Sequence, residues 1–255
     1  MRRRKGRILM AAAAVAYAAG LAVAAEQTIL GRSLTVKQNP ADATSRRVTS
    51  VAKETGSPNT LVGNPTLAGS AGGAILQVFA FGASSSNQTF VLAQGTASTG
   101  RPFWSSGGPG SFKYKDPKGD QGAVKIVSVK RSPSGTFAIK AKIFVKNGPV
   151  NIVPPNPGTS GCVALKLGIA AGAGDRYSMQ FGPDSQISNS GDRLFRARKP
   201  SLEGVCPGGG PTTTTSTTTS TSSSTTTTPT TTTTTTTMYG SPSRAFLQPA
   251  RDLLD

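Results

Sequence analysis

Histidine is absent from the 255 residues of the chain. Its absence removes the serine–histidine–aspartate and cysteine–histidine nucleophilic arrangements, and every imidazole metal site with them. Cysteine occurs twice, as Cys162 and Cys206. An even pair in an exported chain reads as a disulfide, which leaves no thiolate for zinc. Glycoside hydrolysis needs two carboxylates at a set separation. Asp116 and Asp120 flank one turn and are the candidates for such a pair. The same two, with turn carbonyls, are the candidates for calcium, although their spacing matches no calcium-loop motif. Serine and lysine are abundant, but no spacing singles out a Ser-Lys dyad. The sequence therefore assigns no catalytic residue, no metal and no cofactor, and the protein is expected not to be an enzyme.

Binding chemistry has a better candidate. Phe103 stands next to Trp104, the single tryptophan, and Phe112-Lys113-Tyr114-Lys115 follows within a dozen residues. Aromatic faces stack on sugar rings, and a neighbouring ammonium would meet an acidic sugar. Phe103, Trp104, Lys113, Tyr114 and Lys115 are the candidate ligand-binding residues. The competing expectation is that Trp104 fills the core of a domain poor in large side chains.

The element best placed to organise these residues is a hairpin from Ala123 to Lys146. Phe137, Ile139, Ala141, Ile143 and Val145 are apolar at every second position. Ala138, Lys140, Lys142 and Lys146 fall between them, with Phe144 the exception. That period of two marks a half-buried strand. Upstream, Val127 and Val129 alternate with Ser128 and Lys130. Pro133-Ser134-Gly135 suits a three-residue loop, proline fixing φ and glycine taking the left-handed position. Ser132 then faces Thr136, Val129 faces Ile139 and Val127 faces Ala141. Lys130, Lys140 and Lys142 share the opposite face, expected as a solvated face with a ligand platform as the alternative.

Further strands are expected over Leu34–Val36 and Val48–Ala52, in the least legible stretch of the chain. Ala74 to Phe81 reads as a central strand covered on both faces. Thr89 to Leu92 returns the chain. Val150, Ile152 and Val153 suggest a short strand. Val163, Leu165, Leu167 and Ile169 alternate, as do Tyr177, Met179 and Phe181, and more weakly Leu194 and Ala197. No helical period of useful length occurs in 26–206. The expected fold class is all-β, an antiparallel sandwich or barrel of short strands. It forms either one unit or two small β-units dividing near residue 115.

The two ends differ from this domain. Met1-Arg2-Arg3-Arg4-Lys5-Gly6-Arg7, an Ala-rich apolar run and Ala22-Val23-Ala24-Ala25 compose a secretory signal peptide over 1–25, with cleavage after Ala24 or Ala25. The alternative is an uncleaved anchor, which the weakly hydrophobic alanines disfavour, so no stable membrane span is expected after cleavage. Removing the five cations of that segment lowers the net charge from +17 to about +12. Such a charge favours association with anionic polymers. No recognised nucleic-acid motif is present, and specific nucleic acid is not an expected partner. Residues 207–237 are almost pure Thr, Ser and Pro, too polar to fold, and read as an O-glycosylated stalk or a bare linker. Residues 238–255 are too short for a domain. Asn87-Gln88-Thr89 matches an N-glycosylation sequon, expected to be silent in a bacterium.

Several stretches together carry a resemblance: Gly56-Ser57-Pro58, Gly110 to Asp116, Gly122 to Lys125, Gly135 to Ala141, Val153 to Gly158 and the threonine tract after Cys206. The chain resembles uncharacterised secreted bacterial proteins with a Gly/Pro-rich β-domain and a C-terminal Thr-rich tail. The resemblance implies export and a bacterial source, and no functional residue. The expected function is an exported binding or adhesion module at the cell surface, in the periplasm or outside the cell. Its expected partner is an anionic polysaccharide or cell-envelope polymer. A structural protein assembling through β-edges and a carboxylate hydrolase are the alternatives.

Overall fold

The computed structural model describes residues 24–182, 185–199 and 204–208. The Thr/Ser tract from residue 209, the segment 238–255 and the expected signal residues up to 23 lie outside the described residues. Alternating apolar positions become thirteen strands among the described residues. They are β1 (Glu26–Thr28), β2 (Gly31–Asn39), β3 (Asp42–Glu54), β4 (Ala74–Gly82), β5 (Ser86–Leu92), β6 (Trp104–Ser106) and β7 (Ser111–Lys115), followed by β8 (Val124–Arg131), β9 (Phe137–Phe144), β10 (Gly158–Leu167), β11 (Arg176–Phe181), β12 (Gln186–Ser190) and β13 (Leu194–Arg198). The only helical segments described are two three-residue 3-10 turns.

The strands form two sheets. The smaller has the order β1-β11-β10-β4-β5, and the larger has the order β12-β13-β2-β3-β9-β8-β7-β6. Every neighbouring pair is antiparallel except β1 with β11. β7 and β8 are adjacent in the larger sheet, so its ladder runs continuously across residue 115. One core joins the inner faces. Leu34, Val36, Val129 and Ile139 come from the larger sheet, and Leu76, Val78, Val163 and Leu165 from the smaller. The rings of Phe137 and Tyr177 meet across the gap at 5.2 Å. This is a β-sandwich, and the apolar alternation is what drives the two sheets together.

The hairpin takes the expected register. Val129 pairs with Ile139, and Val127 with Ala141. Ser132 N–H donates to Thr136 O at 2.8 Å, and Gly135 closes the loop at φ +78°. Only its last turn differs. Val145 belongs to a 3-10 turn, Val145–Asn147, because the chain must leave the ladder toward Gly148.

Three other strand expectations are corrected. Val150 to Val153 is not a strand. Val150 and Ile152 are buried, but the polar backbone beside β5 is met by side chains. Gln88 Nε2 donates to Pro149 O at 3.1 Å, and Ser86 Oγ donates to Val153 O at 3.2 Å. In β13 the core face is Phe195 and Ala197, while Leu194 points to the other side, as a period of two demands of residues three apart. β4 buries one face only. Ala74, Leu76, Val78 and Ala80 lie in the core, and Ile75, Phe79 and Phe81 are half-buried on the outside.

The outer side of β4 is partly covered by the disulfide. Cys162 in β10 and Cys206 are bonded, with Cα atoms 5.6 Å apart. Phe79 and Phe81 stack at 6.1 Å and pack against Cys162, Ala164 and Cys206. Arg176 Nη1 donates to Cys206 O at 3.3 Å, and Nη2 to Pro207 O at 2.9 Å. Chain entropy alone makes such a cross-link over 44 residues worth about 4 kcal/mol.

Candidate functional site

The expected aromatic platform is internal. Phe103, Trp104 and Tyr114 are 4%, 3% and 1% exposed. The Phe103 and Trp104 rings both pack on Tyr114, whose ring centroid lies 5.9 Å from that of Phe103 and 5.4 Å from that of Trp104. Trp104 Nε1–H donates to Leu92 O at 3.1 Å, so the indole spans the gap between the sheets. Burial, reinforced by Asp116, raises the Tyr114 hydroxyl above the ordinary tyrosine range. No sugar ring can stack on faces already covered by protein, which corrects that part of the sequence expectation. Lys113 and Lys115, from the same strand, are exposed on the other side.

The candidate carboxylates, Asp116 and Asp120, are engaged by backbone N–H groups. Asp116 is fully buried and accepts N–H bonds from Gly119, Asp120 and Gln121 at 2.8, 2.9 and 2.8 Å. Asp120 accepts from Ser98 N–H at 2.7 Å. Glu54 holds Ser57 and Asn59, and Asp42 holds Thr44. Asp116 therefore builds the β7–β8 loop, its oxygens turned to backbone N–H groups rather than to a pocket or a cation.

The outer face of the larger sheet has a different character. Pairing registers set its side chains in cross-strand rows. One row runs Arg198, Ser33, Val51, Lys140, Ser128, Lys113 and Ser105. The next runs Arg196, Thr35, Thr49, Lys142, Ile126 and Lys115. Lys37 and Arg47 pair directly on one flank, and Lys53 and Lys130 share a row with Ala138 on the other. These rows hold ten cations and no carboxylate. Lys125, at the bulge in β8, adds another, its Nζ lying 5.5 Å from the Phe144 ring centroid. The one salt bridge described, Arg176 with Glu26 at 2.9 Å, belongs to the smaller sheet.

The geometry of this face follows from the sheet. Lys140 and Lys142 stand two residues apart on β9, and Lys113 and Lys115 two apart on β7, with β8 between. Strand rise and spacing place them at the corners of a rectangle of about 7 by 10 Å. Ser128 and Ile126 keep the like charges from direct opposition, which would be unfavourable. Lys37 and Arg47 are opposed without such an insulator, a repulsion that an anionic partner would relieve. At the β6–β7 edge the face runs into a cleft of about 460 Å³. Arg101, Thr99, Ser105 and Lys115 line it, with Pro102 and Pro117.

The sequence located Lys113, Lys115 and the hairpin lysines, but missed Lys37, Arg47, Lys53, Arg196 and Arg198. The usable signal was cation parity: each stands one residue from a buried apolar position. Among the described residues no group of His, Cys, Asp and Glu is placed to hold a metal, and no helix is long and apolar enough to cross a membrane. No family model matches the chain, and neither the curated proteins nor the solved structures contain a match.

Proposed function

We propose that this protein is an exported, non-catalytic binding module. It lays the outer face of its eight-stranded sheet on an anionic polymer, such as an acidic polysaccharide of a cell envelope. The observation that carries the reading is the set of ten cations on that face without a carboxylate among them. A face carrying one sign of charge attracts a polymer of the opposite sign, raising its local concentration and its rate of encounter. The rigid ladder fixes the spacing of the ammonium groups beforehand, so less side-chain ordering is needed on binding than a flexible basic tail would require. The formed disulfide and the signal-like N-terminus support export. The Asp116 carboxylate, one of the two candidates for hydrolysis, is taken up by three backbone N–H groups.

The test is binding to a soluble polyuronate, with neutral dextran as control, across a salt series. The wild-type chain is expected to bind the polyuronate alone and to weaken steeply with salt. Replacing Lys113, Lys115, Lys140 and Lys142 together by glutamine is expected to reduce affinity at least about tenfold, since each lost contact contributes on the order of 0.5 kcal/mol in water. Equal binding by the quadruple variant, or equal binding to dextran, would overturn the reading.

A further inference from the structure

We infer that the chain is cut between Ala24 and Ala25, and that the α-amino group released there docks on the carboxylate of Asp175. The inference rests on reading the N-terminus as a secretory signal, and is independent of the polymer-binding face. Sequence alone left two cut positions open. The structure separates them, because Ala25 is held through both its backbone polar atoms. Its N lies 3.0 Å from Asp175 Oδ1, and its carbonyl accepts Arg176 N–H at 2.9 Å. Glu26, the first residue of β1, then pairs with Arg176, whose Nη1 lies 2.9 Å from both carboxylate oxygens. Asp175 is 6% exposed, and its second oxygen accepts from Gln27 Nε2.

A cut after Ala25 would remove both Ala25 contacts and leave the buried Asp175 carboxylate with Gln27 on one oxygen only, a costly state for a desolvated charge. A cut after Ala24 keeps both contacts. It also converts the N–H at Ala25 from a neutral amide into an ammonium. The contact with Asp175 then becomes a charge-assisted hydrogen bond, roughly twice as strong as a neutral one. Hydrolysis of the Ala24–Ala25 bond takes one water, its hydroxyl going to the Ala24 carboxylate and its proton to the new amine. Small residues at Ala22 and Ala24 satisfy the A-x-A pattern for this position, whereas the alternative cut would set Val23 in place of the first alanine. Processing would thus both release the domain and complete the charge balance at the edge strand β1.

Two measurements test this. The full chain is secreted from a bacterial host, and its N-terminus is read by sequencing and intact mass. A start at Ala25 is expected. A start at Glu26, or anywhere else, overturns the inference, and an uncut chain overturns the signal reading with it. Separately, the chain from Ala25 to Asp255 is compared with the same chain extended by Gly-Ser at its N-terminus. The extended form is expected to melt several degrees lower, and selective acetylation of the α-amino group to lower the wild type likewise. In Asp175→Asn the difference between free and extended termini should vanish. Equal melting of the free, extended and acetylated forms overturns the docking, whether or not Asp175→Asn folds.

Discussion

Trp104 has the residue type of a ligand platform and the position of a core plug. Its indole N–H reaches Leu92 O, and the Tyr114 ring packs against it. Trp104→Ala is therefore expected to cost about 3–5 kcal/mol of stability, read by denaturant unfolding. It should leave polyuronate affinity per folded molecule unchanged. Asp116 makes an equally local prediction. Three backbone N–H groups depend on its carboxylate, so Asp116→Ala is expected to destabilise by about 3 kcal/mol without altering binding. The sequence showed both residues, but not their direction. In a strand a ring at one position faces core or water according to parity, and the three-residue β6 is too short to declare its parity.

At the scale of the element, the β8–β9 hairpin was legible except at its last turn, where Val145 leaves the ladder. Its core residues from Val127 to Ile143 alternate, and Pro133-Ser134-Gly135 suits the three-residue loop. Gly135 sits at φ +78°, which an L side chain rarely adopts. Gly135→Ala is expected to cost about 1–2 kcal/mol, measured by thermal unfolding, with the register retained. β2 and β3 were only partly legible. Their apolar sets, Leu34 with Val36 and Val48 with Ala52, are interrupted by Arg47, Ser50 and Lys53, so thirteen residues of strand looked like a short run. That loss hid Lys37, Arg47 and Lys53, three of the ten cations of the outer face. The segment Val150–Val153 misled in the opposite way: Val150 and Ile152 are buried, but Ser86 and Gln88 take the hydrogen bonds a strand would have made.

At the scale of the molecule, two sheets and one cross-link define stability. Replacing Cys162 and Cys206 together by alanine is expected to lower it by about 4 kcal/mol, seen as a lower denaturant midpoint. Tyr114 and Tyr177 give the alkaline limit. Burial raises both hydroxyls above the ordinary range. Their contribution is whole below the unfolded value near about 10, and is lost as pH rises through the folded values. Phenolate absorbance from these two is expected to appear together with unfolding, and a gradual rise in the folded protein would contradict it. An all-β sandwich or barrel was visible in the short recurring strands, whereas the choice between them and the sheet order were not, because β2 and β9 become near neighbours only through β3.

The cross-link also decides how the domain would carry a mechanical load. Tension on the chain beyond Gly208 enters through Cys206 and passes to Cys162 in β10, an interior strand gripped by β4 on one side and β11 on the other. Arg176 clasps the same exit through two carbonyls. A pull there must shear two ladders at once instead of peeling an edge strand.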